Sequence, residues 1–385
     1  MLSFVQLKST RVLRADGSIG PAVVRVEAER IAHVVDKAEG VIWDLGERLL
    51  LPGMIDVHGD AFERQWMPRS GVFFPLDIAL LDSDRQILAN GITTAFHGLT
   101  VSWEPGLRGI EHGRLMVNAL AAVRGRLLSD TRVHLRYETH ALNETDEMIE
   151  WIRDGRVHLI GFNEHLEMIA AKLDHPSKGA QYAERSGLSM SGFRDLVVRT
   201  RERGPEVGAA VARVAAAARE AGLAMASHDD ETPEMRAGYA ALGVGICEFP
   251  LDIATAQSAI AAGQDVVLGG PNVVRGKSHT RRLTARAAIE AGLGTVLASD
   301  YYYPSMVHAV FRLVRDGVLD LPQAWELVAG NAARAAGLSD RGTIREGLRA
   351  DFVVIDDTDP ALPVVAATIA GGRIAHVADP ELWSL

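Results

Sequence analysis

The sequence is short of the residues that would place it in several common classes. It holds a single cysteine, Cys247, so no internal disulfide framework can form and a reducing compartment is expected. No run approaches the roughly 20 apolar residues needed to span a bilayer. The first residues, MLSFVQLKSTRVL, lack a basic segment followed by an apolar stretch and a small-residue cleavage site, which predicts a cytoplasmic protein with no membrane partner. Lysine is scarce, five residues against thirty-five arginines. A net charge of −10 and a pI near 5.7 argue against a nucleic-acid partner. Neither a glycine-rich dinucleotide fingerprint nor a GxxxxGK[ST] loop is found, so nucleotide binding of those types is not indicated. What remains is 385 residues with 48% hydrophobic and 23% charged side chains, enough for one large domain and a small one.

The chain changes rhythm twice. Ser3–Leu13, Ala22–Val26, Arg30–Val35 and Val41–Asp44 alternate between turn signals, as strands of a small antiparallel sheet do. Gly342–Asp356 and Ala366–Val377 give similar strands at the far end. Each terminal set is too small to bury its own face, which predicts one composite β-sandwich built from 1–50 and 341–385. Between them, over 51–340, short apolar runs alternate with Ala-, Arg- and Leu-rich helical stretches. The eight strand candidates are Leu51–Val57, Thr93–His97, Val133–Glu138, Val157–Asn163, Ala224–His228, Gly243–Phe249, Asp265–Gly269 and Thr295–Asp300. Helices are expected at Leu115–Leu128, Val207–Ala221, Arg281–Ala291 and Pro322–Leu338. The pattern is that of an α/β protein, a (β/α)8 TIM-type barrel. The excursion Asn163–Asp195 follows the fourth strand and reads as a lid or specificity element, or as an ordinary solvated helical insert.

A barrel gathers the carboxyl ends of its strands on one rim. Here those ends carry His58 and Asp60, then Arg136 and Glu138, then Glu164 and His165, His228 with Asp229 and Asp230, Glu248, Asn272, and Asp300; the second strand offers only His97. A lone histidine usually sits at a surface or in a hydrogen-bonded core, and a lone aspartate often caps a helix. So many ligand-type residues on one rim instead predict a centre for two divalent ions such as Zn²⁺ or Mn²⁺. His58, Asp60 and Asp300 are assigned to the first ion and His165 and His228 to the second, with Glu138 bridging and Glu164 competing for that place. Glu63, Asp229 and Glu248 are supporting or alternative carboxylates.

Ions sharing a water lower its pKa toward neutrality, and Asp300 is placed to accept the proton. Arg275, Lys277 and His279, followed by Arg281 and Arg282, form a basic loop after the seventh strand, where this fold often binds phosphate. Arg69, Arg136 and Asn272 join them as substrate-binding residues, with Arg64 adding charge nearby, and together they predict a small phosphorylated substrate. Two rival functions are kept. One is an amidohydrolase or deaminase acting on a C–N bond, and the other a noncatalytic scaffold, which would be expected to have lost some of the six ligands. Homo-oligomerisation is left open.

Particular stretches carry a resemblance that covers nearly the whole chain. LLPGMIDVHGD, NAARAAGL and GTIREGLRADFVVID resemble the amidohydrolase superfamily of metal-dependent barrel hydrolases. HGDAFERQWMPRSGV, HLRYE, NEH, ASHDDET, CEFP, GGPNVVRGKSH and ASDYYYP resemble, within it, the diphosphatase branch of phosphonate metabolism in the carbon–phosphorus lyase pathway. The resemblance implies hydrolysis of α-D-ribose 1-methylphosphonate 5-triphosphate to the 5-phosphate and pyrophosphate. His58-Gly59-Asp60-Ala61 stands where that branch has His-Thr-Asp-Asn. The superfamily's usual bridging carbamylated lysine has no counterpart, because Lys8, Lys37, Lys172, Lys178 and Lys277 all lie away from predicted strand ends, so a glutamate is expected to bridge.

Overall fold

The computed structural model describes residues 4–37, 40–69, 71–173, 175–276 and 283–383. Eight parallel strands run in sequence order around a barrel: Met54–Gly59, Ile92–Val101, Asp130–Glu138, Leu159–Asn163, Ala224–His228, Ile246–Glu248, Asp265–Gly269 and Val296–Ala298. The ring closes just beyond the eighth strand, where the Asp300 N–H donates to the His58 carbonyl at 2.9 Å and the Asp60 N–H to the Asp300 carbonyl at 2.6 Å. The buried Asp56 carboxylate reinforces this seam by accepting the Ser299 N–H at 2.9 Å and its hydroxyl at 2.6 Å.

A second, eight-stranded sheet comes from both ends of the chain. Its order runs Arg373–Val377, Val364–Ala370, Phe352–Asp356, Leu49–Pro52, Phe4–Leu13, Ile19–Glu27, Arg30–Val35, with Ile42–Asp44 beside Phe4–Leu13. Leu7, Val24, Trp43, Leu50, Phe352 and Val354 form its buried core. Leu49–Pro52 belongs to this sheet, antiparallel to Phe352–Asp356, so the first barrel strand begins at Met54 and not at Leu51 as expected. The chain crosses over at Pro52-Gly53. A Cβ on Gly53 would stand 2.4 Å from Thr93 Oγ1, so only glycine fits where the two layers meet.

Two helical expectations also change. Pro322–Leu338 is two short helices, Leu321–Glu326 and Gly330–Ala335. The carbonyls of Leu327 and Val328 between them accept from barrel N–H groups of Leu297 and Ile55, both at 2.8 Å, so they are lost to helix continuation. The expected helix over 115–128 spans Ile110–Val123. The excursion after the fourth strand folds into helices Leu166–Lys172, Pro176–Ser186 and Met190–Glu202, with Leu166, Ile169, Leu173, Phe193 and Val197 in a small core of their own. It is pinned to the loop after the second barrel strand by an ion pair between Arg185 and the buried Glu104. No helix among the described residues is long and apolar enough to cross a membrane.

Candidate metal centre

Alternation along the first barrel strand sends His58 and Asp60 to the same side, and their Nε2 and Oδ1 atoms lie 3.7 Å apart. Both atoms are buried, and neither has a hydrogen-bond partner among the described residues. Buried polar atoms are nearly always paired. An open imidazole nitrogen beside an open carboxylate oxygen therefore fits a divalent cation, and this chemistry suits Zn²⁺ or Mn²⁺. Asp300 shares a cavity of about 260 Å³ with His58, Asp60, Arg136, His228 and Asp229.

Glu248, at the end of the sixth strand, holds two imidazoles from behind. Its Oε2 lies 3.1 Å from His58 Nδ1 and 3.4 Å from His228 Nδ1. The rings stack at 5.2 Å with an interplanar angle of 17°. A carboxylate behind the ring fixes the tautomer and aims the other nitrogen at the ligand, a frequent arrangement around metals. Burial lowers the pKa of His58, but Glu248 and Asp60 raise it more, to about 10.

The second group gathers around His165. Its Nδ1 is 2.6 Å from Glu138 Oε1, and its Nε2 is 3.8 Å from Asp229 Oδ2. Burial lowers the His165 pKa, while Glu138 and Asp229 lift it to about 9. Burial raises Asp229, but His228 and His165 bring it down to about 2. One oxygen of Glu138 thus pairs with an imidazole, and Glu164 accepts the Leu166 N–H at 3.1 Å and lies 3.6 Å from His140. The group that stands between Asp60 and His228 is Arg136, 2.7 Å from Asp60 Oδ2 and 3.1 Å from His228 Nε2.

Three cavity residues, Asp229, Phe249 and Asp300, have left-handed backbones with φ of 58°, 53° and 55°. This conformation is uncommon for L-residues and costs about 1–3 kcal/mol each, and such strain clusters at functional sites. Burial drives the Asp300 carboxyl up, offset in part by His58, to about 6.

Asn272 and Arg275 line the same cavity, and Asn272 also accepts the Ala285 N–H at 3.0 Å. A wider cavity of about 770 Å³ adjoins it, sharing Asp229, Phe249, Gly269 and Asn272 and adding Glu164, His165 and Lys172. Arg69 is not gathered in, since it is exposed and bridges to Val72. Glu63 lies 3.6 Å from Arg108. Lys277, His279, Arg281 and Arg282 lie outside the described residues. His97 is buried against Phe62, 4.7 Å between ring centroids, and burial lowers its pKa to about 4.

Sequence reasoning missed Gly98 and His134. A Cβ on Gly98 would fall 2.3 Å from Asp60 Oδ1 and 3.2 Å from Arg136 Cδ, so this glycine makes room for their pair. His134 approaches the Val57 carbonyl with its Nδ1 at 3.1 Å and stands 3.8 Å from Glu248. Its place two residues before Arg136 on one strand was the available signal.

Comparison with known proteins fits this geometry. The Amidohydrolase family matches residues 255–376. The α-D-ribose 1-methylphosphonate 5-triphosphate diphosphatase of Escherichia coli K12 is 32% identical over 341 residues, covering 84% of this chain and 88% of that protein. Among solved structures, N-acetyl-D-glucosamine-6-phosphate deacetylase from Mycobacterium smegmatis aligns with a TM-score of 0.63 at 17% identity, covering 96% of this chain and 99% of that one. The 5-methylcytosine deaminase of Klebsiella pneumoniae gives 0.63 at 16% identity over 97% of both chains. At those identities the two structures speak for the fold alone. The long match to the diphosphatase goes further: the chain belongs to the amidohydrolase superfamily of metal-dependent hydrolases, in the branch of that phosphonate diphosphatase.

Proposed function

We propose that the protein hydrolyses α-D-ribose 1-methylphosphonate 5-triphosphate to the 5-phosphate and pyrophosphate. The observation that carries this is the open donor pair, His58 Nε2 and Asp60 Oδ1, beside Asp300 in a cavity that also holds Arg136 and Arg275. The 32% identity to the diphosphatase over most of both chains supports the substrate.

His58, Asp60 and Asp300 would hold a divalent ion, with His165, His228, Glu138 and Asp229 as the remaining donors. When bound, such an ion acidifies water and withdraws charge from a phosphoryl oxygen. Asp300 takes the proton of the attacking water on its carboxylate. Water adds to the phosphorus next to the ribose, the bond from that phosphorus to the bridging oxygen breaks, and pyrophosphate leaves with both electrons. No protonated amine is needed at the leaving group, so the demand falls on cations, and Arg136 and Arg275 neutralise the charge that spreads over the phosphoryl oxygens. Asn272 orients the chain of phosphates at the mouth shared by the two cavities.

The test is a substrate panel read for pyrophosphate and for ammonia with Mn²⁺- or Zn²⁺-loaded protein. Pyrophosphate from the triphosphorylated ribose phosphonate is expected. Ammonia from an amide or amino-heterocycle, with no pyrophosphate from any triphosphate, would replace this reading with C–N hydrolysis on the same barrel.

A further inference from the structure

The geometry points to Arg136 as a built-in cation that takes the place of a second metal ion, so that the centre holds one tightly bound ion per chain. This deepens the metal-donor reading of His58, Asp60 and Asp300 and rests on it.

The two halves of the site differ in what their donor atoms already touch. On one side, His58 Nε2 and Asp60 Oδ1 are buried without hydrogen-bond partners among the described residues. On the other, His165, His228 and Asp229 come together as donors, but two of the contacts a second ion would need are already made. Glu138 Oε1 is 2.6 Å from His165 Nδ1, and His228 Nε2 is 3.1 Å from Arg136 Nη2. An imidazole nitrogen that accepts a hydrogen bond does so with the one lone pair a metal would need. An ion on His228 would have to evict the guanidinium first.

Eviction is opposed by how thoroughly the guanidinium is held. Nη1 donates to Asp60 Oδ2 at 2.7 Å. Nη2 has two hydrogens, one for His228 and one for Asn163, whose side-chain oxygen accepts at 3.0 Å once its amide is oriented to satisfy both ends. A single group on the third barrel strand thus ties together the first, fourth and fifth. The second strand supplies the space, because Gly98 has no Cβ to strike Asp60 Oδ1 or Arg136 Cδ. Arg136 is 4% exposed, and a guanidinium cannot shed its charge at any pH the protein meets. Displacing it would leave an unpaired buried charge beside an arriving dication.

Asp60 then faces two ways, one oxygen open toward the donor pair and the other on the guanidinium, as a carboxylate between two cations does. A fixed cation has a use here. It cannot dissociate or be chelated, and it lines the cavity that would take the phosphoryl groups. A glutamate bridge, expected because no lysine stands at a strand end, has nothing to join if only one ion is present.

The experiment counts ions. Protein saturated with Mn²⁺ and freed of excess by gel filtration is assayed for Mn per chain by mass spectrometry, and its electron paramagnetic resonance spectrum is recorded. The proposal expects about one ion per chain and the spectrum of an isolated Mn²⁺. Arg136→Gln, which frees Asp60 Oδ2 and His228 Nε2, is expected to move the count toward two and to add the signal of a coupled pair. Wild-type protein that keeps two ions with a coupled spectrum overturns the proposal, and so does a folded Arg136→Gln variant that stays at one. If that variant does not fold, the wild-type count decides alone. A wild-type count of zero overturns the metal-donor reading as well. Neither count involves pyrophosphate, so failure of the substrate reading leaves this result standing.

Discussion

The barrel strands hold charge at both ends, and the two ends are built in opposite ways. At their amino ends, where the terminal sheet meets the barrel, Arg341 Nη1 donates to Thr94 Oγ1 at 2.8 Å and to Asp130 Oδ2 at 2.7 Å, while its Nε reaches Asp340 at 2.9 Å. No side-chain nitrogen or oxygen of Arg341, Asp130 or Asp351 is buried without a partner among the described residues. At the carboxyl ends, His58 Nε2 and Asp60 Oδ1 are left open beside a clamped guanidinium. Closed charge at the bottom of a barrel serves stability, and open charge at the top serves a ligand. The same backbone therefore supports both, and the unsatisfied atoms mark which end does chemistry.

Changes at the two ends should separate these roles. The largest effect is expected from Asp300→Asn, which removes the carboxylate proposed as proton acceptor. Pyrophosphate release should fall on the order of 10³-fold with little change in thermal midpoint. A thermal loss matching the loss of activity would move Asp300 to the structural side of the comparison. At the other end, Arg341→Met leaves Asp130 and Asp351 short of a buried partner. It should cost about 3–5 kcal/mol in denaturant unfolding, with turnover per folded molecule unchanged.

The same contrast has a pH dependence. Burial raises the Asp130 carboxyl, but Arg132 and Arg341 more than offset this and hold it below its ordinary value of 3.8. Since the folded-state pKa is the lower one, its stabilisation is complete above that value and is lost as pH falls further. Arg341→Met should flatten that acid limb when stability is followed by denaturant titration at several pH values. A smaller effect belongs to Glu248→Gln, which keeps the shape but weakens the hold on His58 and His228. Metal affinity should drop about 10–100-fold, read by competition with a chromogenic chelator. The smallest is Thr232→Ala, which removes the hydroxyl that accepts the Met235 N–H at 3.2 Å and caps helix Pro233–Ala241. About 1 kcal/mol of stability should go, with no change in metal content.

Much of this was legible before any coordinates. Ala224–His228 and Asp265–Gly269 are strands with the bounds their apolar runs suggest, because β-branched and small apolar residues end there at a histidine or a glycine turn. His58, Asp60, His228 and Asp300 share a cavity because a barrel brings strand ends to one rim. Contacts that depend on side-chain direction were not legible. Nothing in the spacing of HLRYE tells that Arg136 points at Asp60 and His228 while Glu138 pairs with His165. Nor does an apolar run from Leu49 to Val57 show that the chain changes sheet at Pro52-Gly53, since burial is complete on both sides of the crossing. The break between Leu321–Glu326 and Gly330–Ala335 had no local signal, because it is imposed by barrel N–H groups more than two hundred and fifty residues away in the case of Ile55.

The central claim is that a divalent ion held at His58, Asp60 and Asp300 makes this chain a hydrolase of a phosphoric anhydride. The most direct measurement follows pyrophosphate release from α-D-ribose 1-methylphosphonate 5-triphosphate by one preparation before chelation, after chelation and after Mn²⁺ or Zn²⁺ is returned. The account predicts release, its disappearance and its recovery. Release that survives complete removal of metal, or its absence from fully loaded and folded protein, would contradict it.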